Sequence, residues 1–304
     1  MILSPIWLPA TLMAGALQAW RTAVQQRLRG TLSVNAAGLV RYLYGFPVAL
    51  LLLGGYALLR GAAVPAVSMP FWGYAVAGGI CQIIGTNLLI MAFGYRNFVV
   101  GTAYAKTEAV QGALLSAWLL HESLNGLVWA GIGLGVVGVI ILSTGGRRLG
   151  PRALLAEIVQ PAALCGLGAG LAFALTSVFI RNATRQLDSP DLLLRALVTL
   201  AATMVAQAIL QGSYVALREP EQLRKVAHSW RTSAQVGSLA ALGSAGWFTG
   251  FATAPVALVR TVGQVEVIFT LLFGRFYLKE PLGRSEASGL IFVAGGVVLA
   301  GIGS

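Results

Sequence analysis

Two glutamates stand where an apolar chain has no ordinary use for them. Glu108 lies in AYAKTEAVQGALLSAW and Glu266 in VALVRTVGQVEVIFTLL, each near the middle of a run long enough to cross a bilayer. An ionisable side chain near the bilayer centre costs at least about 2.5–3.5 kcal/mol, so it is expected to face a protein interior or a wet cavity and to serve function. Lys106, Arg260 and Gln264 share those two runs, and Arg21, Arg41 and Arg195 fall in other apolar runs. Residues three or four apart share a helix face. Thr102 and Lys106 then form one stripe, and Tyr104, Glu108 and Gln111 another. The second run repeats this with Arg260 and Gln264, then Val262, Glu266 and Thr270. The chemistry open to such groups is binding of a charged or polar solute, and proton carriage by a carboxylate whose pKa burial raises. A plainer alternative is two buried pairs, Lys106–Glu266 and Glu108–Arg260, that fasten the helices together; a pair that opens on binding would also be a gate.

The glutamates belong to a repeat. Residues 98–144 align without gaps on 256–302, an offset of 158 positions. Identities include Glu108/Glu266, Glu122/Glu280, Leu124/Leu282, Gly131/Gly289 and Gly138/Gly296. Of only 10 acidic residues in the chain, four fall in this register. Self-similarity of this length points to two copies of one structural unit, with boundaries at 1–146 and 147–304.

Composition fixes the setting. The chain has 304 residues, 57% of them hydrophobic and 10% charged, against about 25% charged in a soluble domain. A spanning helix needs about 20 mainly apolar residues, and ten such spans are expected: 5–27, 34–59, 70–94, 98–119, 125–143, 160–180, 191–216, 234–253, 257–278 and 285–303. The expected fold class is all-α, a polytopic membrane protein of two five-helix repeats. An odd number of spans per copy inverts the second copy relative to the first, a plan common among carriers that bind substrate near the midplane. The loop 217–233 reads as a short interfacial helix. Lys and Arg crowd the loops on one side, thirteen against three (Arg60, Arg181 and Arg185) on the other. Because cytoplasmic loops carry the basic excess, both termini are expected outside.

Several functions are set aside. The net charge of +11 is scattered between apolar runs and makes no nucleic-acid patch. Cys81 and Cys165 have no disulfide or metal spacing. Gly133-x-Gly135-x-x-Gly138 matches a dinucleotide fingerprint but lies inside an apolar run with no preceding strand; with Gly131 it reads as a helix-packing face, as does Gly166-x-x-x-Gly170. His121 and His228 are lone, and no catalytic arrangement or cofactor motif is visible. The expectation is a non-enzyme without cofactor or metal, whose partners are the lipid bilayer and a small-molecule substrate, of undetermined oligomeric state. Five buried cations against two carboxylates favour a substrate bearing a carboxylate or phosphate, and Trp20, Tyr104 and Trp247 could stack on it.

The stretches ALLSAWLLHESLNGLVWAGIGLGVVGVIIL (113–142) and LLFGRFYLKEPLGRSEASGLIFVAGGVVLA (271–300) resemble the EamA-type family of the drug/metabolite transporter superfamily. Glu122-Ser-Leu124 and Glu280-Pro-Leu282 match the end of its penultimate helix, Gly131 and Gly289 its last helix, and Arg41 and Arg195 an arginine early in the second helix of each half. The resemblance implies a ten-helix carrier of small organic solutes, often an exporter of amino acids or other metabolites in a bacterial inner membrane, with Glu122 and Glu280 bonding structurally near helix ends. A lipid-handling or accessory subunit of the same fold is the alternative. The family often has a proline about 13 residues before the terminal glutamate. Those positions are Ala109 and Val267, beside Glu108 and Glu266, so a helix break is expected to be exchanged for a charge.

Overall fold

The computed structural model describes residues 5–28, 30–92, 104–122, 124–144, 160–269, 272 and 284–303. Every regular element among them is a helix: α1 (Trp7–Leu28), α2 (Val34–Leu43), α3 (Gly45–Arg60), α4 (Met69–Ala92), α5 (Glu108–Leu119), α6 (Gly126–Thr144), α7 (Pro161–Arg185), α8 (Leu192–Arg218), α9 (Pro220–His228), α10 (Trp230–Thr253), α11 (Val256–Gly263) and α12 (Arg284–Ile302). Among the described residues four segments are long and apolar enough to cross a membrane: Val34–Arg60, Met69–Ala92, Pro161–Arg185 and Leu192–Arg218. The chain is an integral membrane protein of helical type. Thr102, Thr270, Glu280 and Leu282, and among the thirteen loop cations Arg29, Arg96, Arg147, Arg148, Arg152, Arg275 and Lys279, lie outside the described residues.

The chain packs as two compact units. The first holds Met1–Ile83 and Thr176–Ala254, the second Ile84–Leu175 and Pro255–Ser304. Each draws on both sequence copies, and α4 and α7 each divide between the units.

In the first unit the expected second span is jointed. α2 ends at Leu43 and α3 begins at Gly45. α10 passes close to this joint: a Cβ on Gly237 would stand 2.5 Å from the Tyr44 Cβ and 2.8 Å from the Gly45 amide nitrogen, so only glycine fits. The expected loop helix is α9. Its Val226 is buried, and Glu219 before it accepts hydrogen bonds from the Ser33 hydroxyl and from Asn35 Nδ2 (2.7 Å), which pins α9 to the start of α2. Asp191 caps α8, accepting from the amides of Leu193 (3.0 Å) and Leu194 (3.1 Å) and from the Tyr56 hydroxyl (2.7 Å). Burial pushes the Asp191 carboxyl up, but the Tyr56 hydroxyl, those two amides and the nearby Arg60 charge outweigh it and hold the pKa below the ordinary carboxylate value.

Arg181, counted in the sequence as a loop charge, is buried within α7 and donates to the carbonyls of Phe251 and Ala254 at the end of α10. A guanidinium suits a helix C-terminus, where carbonyls lack helical partners. The sparse side of the charge count is thereby reduced to Arg60 and Arg185.

In the second unit α6 and α12 cross at their glycines. A Cβ on Gly131 would stand 2.6 Å from the Gly296 carbonyl oxygen, and one on Gly138 2.7 Å from that of Gly289. The pairing is crossed, 131 with 296 and 138 with 289, so the two helices run antiparallel. In the repeat alignment Gly131 matches Gly289 and Gly138 matches Gly296. This is the reciprocal contact that a local two-fold produces.

Candidate functional site

The site is built at two helix breaks. In the first copy, Tyr104–Ala105 is helical, Lys106–Thr107 is a turn, and α5 starts at Glu108. In the second, α11 ends at Gly263, Gln264–Val265 is a turn, and helix resumes at Glu266. The turns are equivalent in the repeat. Both tighten into i→i−3 bonds: Thr107 and Ala109 donate to Tyr104 and Lys106 (3.2 and 3.3 Å), and Gln264, Val265 and Val267 donate to Thr261, Val262 and Gln264 (3.1, 3.1 and 2.9 Å). Such mid-helix tightening often marks a hinge. From sequence, continuous spans are expected over 98–119 and 257–278, with the charge replacing the family's break. The structure corrects this: among the described residues both copies carry the break as well as the charge, without proline. Gly263 gives the second copy a weak point. In the first, α7 presses on the break at Gly170, where a Cβ would stand 3.0 Å from the Ala105 carbonyl oxygen and 3.3 Å from the Glu108 amide nitrogen.

Four ionisable side chains meet at these breaks. Lys106 Nζ lies 2.6 Å from Glu266 Oε2 and 4.0 Å from Glu108 Oε1. Arg260 Nη1 lies 3.3 Å from Glu108 Oε2, and its Nη2 donates to the Phe173 carbonyl at 2.8 Å. Each of the four residues is 6% exposed. Both ion pairs join one sequence copy to the other. Glu108 also opens α5, where the partial positive charge of a helix N-terminus favours a carboxylate. The Arg260 stem runs over Gly112, whose absent Cβ would be 3.6 Å from its Cγ.

Gln264 is buried at 2% exposure, and neither Oε1 nor Nε2 has a hydrogen-bond partner among the described residues. Tyr104 precedes the first break, and its carbonyl accepts the Thr107 hydroxyl at 2.6 Å. Arg21 belongs to the first unit, on α1, buried and 3.4 Å from the Thr22 hydroxyl. Arg41 and Arg195 are also in the first unit. Arg41 Nη2 reaches Ser244 at 3.4 Å, and Arg195 Nε donates to the Thr184 carbonyl at 2.7 Å.

The expected net-positive pocket therefore separates. The quartet of Lys106, Glu108, Arg260 and Glu266 is balanced, two cations against two carboxylates. Polar side chains of other apolar runs are used within the first unit. Gln25 donates to the Ala37 carbonyl at 2.7 Å, and Gln18 accepts from Trp247 at 3.0 Å. Gln207 donates to Gln82 at 2.9 Å and to the Gly79 carbonyl at 3.0 Å. That unit also has a groove of about 600 Å³, lined by such residues as Met13, Leu51, Tyr56, Leu193 and Thr249, which contains none of the candidate residues.

Glu122 bonds as the resemblance implies. Its Oε2 accepts the amide of Val256, the first residue of α11, at 3.0 Å. His121 reaches φ 53° to make the turn, and the Glu122 amide closes it on the Ser116 carbonyl at 3.3 Å, a helix-ending pattern that usually takes glycine. Three participants escaped the sequence reading: the Phe173 carbonyl, Gly112 and Gly135. A carbonyl leaves no mark in sequence, and Gly135 was read as part of a packing face.

This is a helical membrane protein with a buried, internally paired charge cluster at two helix breaks that are equivalent in the sequence repeat. Residues 160–302 match the model of the EamA-like transporter family, a likeness that extends over just under half of the chain. No curated protein matches the chain. One solved structure, described only as "Crystal structure of protein", superposes with a TM-score of 0.72 over 97% of this chain and 96% of its own, at 20% identity; it shows the fold alone.

Proposed function

We propose that the chain is a secondary-active carrier, an exporter of small organic metabolites such as amino acids or other carboxylate-bearing solutes. It works by alternating access around Lys106, Glu108, Arg260 and Glu266, with two inverted five-helix repeats, 1–146 and 147–304, moving against one another. The observation that carries this reading is the pair of ion pairs at the two helix breaks. Each pair joins the copies, so relative motion of the copies must break or exchange them, and a substrate's own charges can replace either partner. The carboxylates could also take up a proton and couple transport to a proton gradient. The protein would sit in a bacterial inner membrane, and the remaining charge count favours both termini outside.

The test begins with a thermal-shift screen of metabolites on detergent-purified protein, since a ligand of the folded state raises its apparent stability. Hits are then followed as flux into liposomes, with and without a pH gradient. Glu108→Gln and Glu266→Gln should abolish flux while the protein still inserts and purifies. Full flux in the double variant would sink the reading.

A second reading, a lipid-handling or accessory subunit, draws on the apolar groove of the first unit. Metabolite flux by the purified chain alone would exclude the accessory role.

A further inference from the structure

We infer that Gln264, seated against Gly135, recognises a primary carboxamide on the transported solute. The inference rests on the carrier reading above and deepens it.

The repeat makes Lys106 equivalent to Gln264 and Glu108 to Glu266. Applied to the Lys106–Glu266 pair, it would place Gln264 on Glu108. That place is taken: Glu108 is held by Arg260 Nη1 at 3.3 Å. The Gln264 amide is thereby released from pairing, yet it stays buried at 2% exposure, with both polar atoms unpartnered among the described residues. Buried side-chain amides are ordinarily bonded, and an exception calls for a reason.

α6 supplies a second, independent observation. A Cβ on Gly135 would stand 2.2 Å from Gln264 Oε1, 2.9 Å from Cδ and 3.1 Å from Nε2. No side chain fits there while the amide keeps its place. The neighbouring glycines do other things: Gly131 and Gly138 meet α12, and Gly133 meets nothing within 4 Å. Gly135 is the one whose missing side chain makes room for the amide.

Chemistry then selects the ligand group. The quartet's charges are balanced among themselves, so a charge lodged against Gln264, outside those pairs, would have no counter-charge of its own. What is free is a neutral donor beside a neutral acceptor. Their complement is another amide, whose N–H donates to Oε1 while its carbonyl accepts from Nε2. A carboxylate has acceptors only and would set an oxygen against Oε1. Sites built around paired hydrogen bonds reject analogues that cannot make them. The amide is enclosed in this structure, and access comes with the opening step that alternating access entails.

The test is thermal shift on the detergent-purified full chain with three matched pairs: L-glutamine and L-glutamate, L-asparagine and L-aspartate, nicotinamide and nicotinate. At least one carboxamide should raise the melting temperature more than its acid partner, and Gln264→Leu should lose that difference. If Gln264→Leu fails to purify, Gln264→Met takes its place. Gly135→Ala should weaken the carboxamide shift, and Gly135→Ala/Gln264→Ala should melt higher than Gly135→Ala alone. The inference is overturned if no carboxamide shifts the wild type, or if the shift survives in Gln264→Leu. A shift lost in Glu108→Gln but kept in Gln264→Leu overturns this inference and leaves the charged-site reading standing. A shift lost in Gln264→Leu but kept in Glu108→Gln supports the inference and removes Glu108 from the binding site.

Discussion

Lys106 Nζ stands 2.6 Å from Glu266 Oε2, across 160 positions of sequence. Both side chains are buried, and each comes from the helix break of a different copy. A second pair, Arg260 with Glu108, lies beside it with the roles reversed: the cation comes from the second copy and the carboxylate from the first. The four charges form one unit, since Lys106 is also 4.0 Å from Glu108.

Removing one partner should cost more than removing both. Glu266→Gln leaves the Lys106 ammonium buried without its nearest counter-charge, and breaking a buried pair costs about 3–5 kcal/mol. Lys106→Met/Glu266→Gln removes both charges and should recover a large part of that loss. Melting of the single and double variants in one detergent reads the difference; a double variant as unstable as the sum of the singles would deny the coupling.

The glycines of α6 should separate into two kinds. Gly131→Ala puts a Cβ 2.6 Å from the Gly296 carbonyl oxygen and 2.8 Å from the Ala300 nitrogen, both backbone, so α6 and α12 must move apart. It should lower the melting temperature clearly. Gly133→Ala meets nothing within 4 Å and gains helix propensity of about 1 kcal/mol. It should leave stability unchanged or raised.

Asp191 should confer a pH-dependent stability. Its folded pKa is depressed, so its contribution is fully present above the unfolded carboxylate value and is lost as pH falls through the lower folded value. Asp191→Ala, which removes the cap of α8, should cost about 0.5–2 kcal/mol at neutral pH. The gap between its melting curve and the wild type's should close as the pH is taken down through the acid range. A gap that stays constant into strong acid would show that the carboxylate charge is not what stabilises.

Sidedness can be read with single cysteines. Lys225→Cys on α9 should be labelled by a membrane-impermeant reagent only after cells are opened, and a cysteine in place of Ala63 should be labelled on intact cells. The reverse pattern would place both termini inside.

The helical membrane class and the charged residues of the second unit were legible in sequence, because long apolar runs define the class and charge inside such a run is rare. Both ion pairs were legible too, as the alternative to a substrate site. What sequence could not supply is that the other buried cations stand apart from them. Arg21, Arg41 and Arg195 look much like Arg260 in a string of letters, yet their partners lie in the first unit. The helix breaks were hidden because no proline marks them, and backbone turns at Lys106 and Gln264 depend on what α7 and α6 press against them. Arg181 was misplaced because its helix runs past the end of its apolar stretch.

The glycine crossing of α6 and α12 carries a consequence for origins. Position 131 touches 296 and position 138 touches 289, where 296 is the counterpart of 138 in the repeat and 289 that of 131. A single copy meeting a second of itself about a two-fold axis would make the same contact twice. Two such copies joined in one chain would need no new fit at this crossing and would be free to diverge elsewhere, as positions 106 and 264, lysine and glutamine, differ.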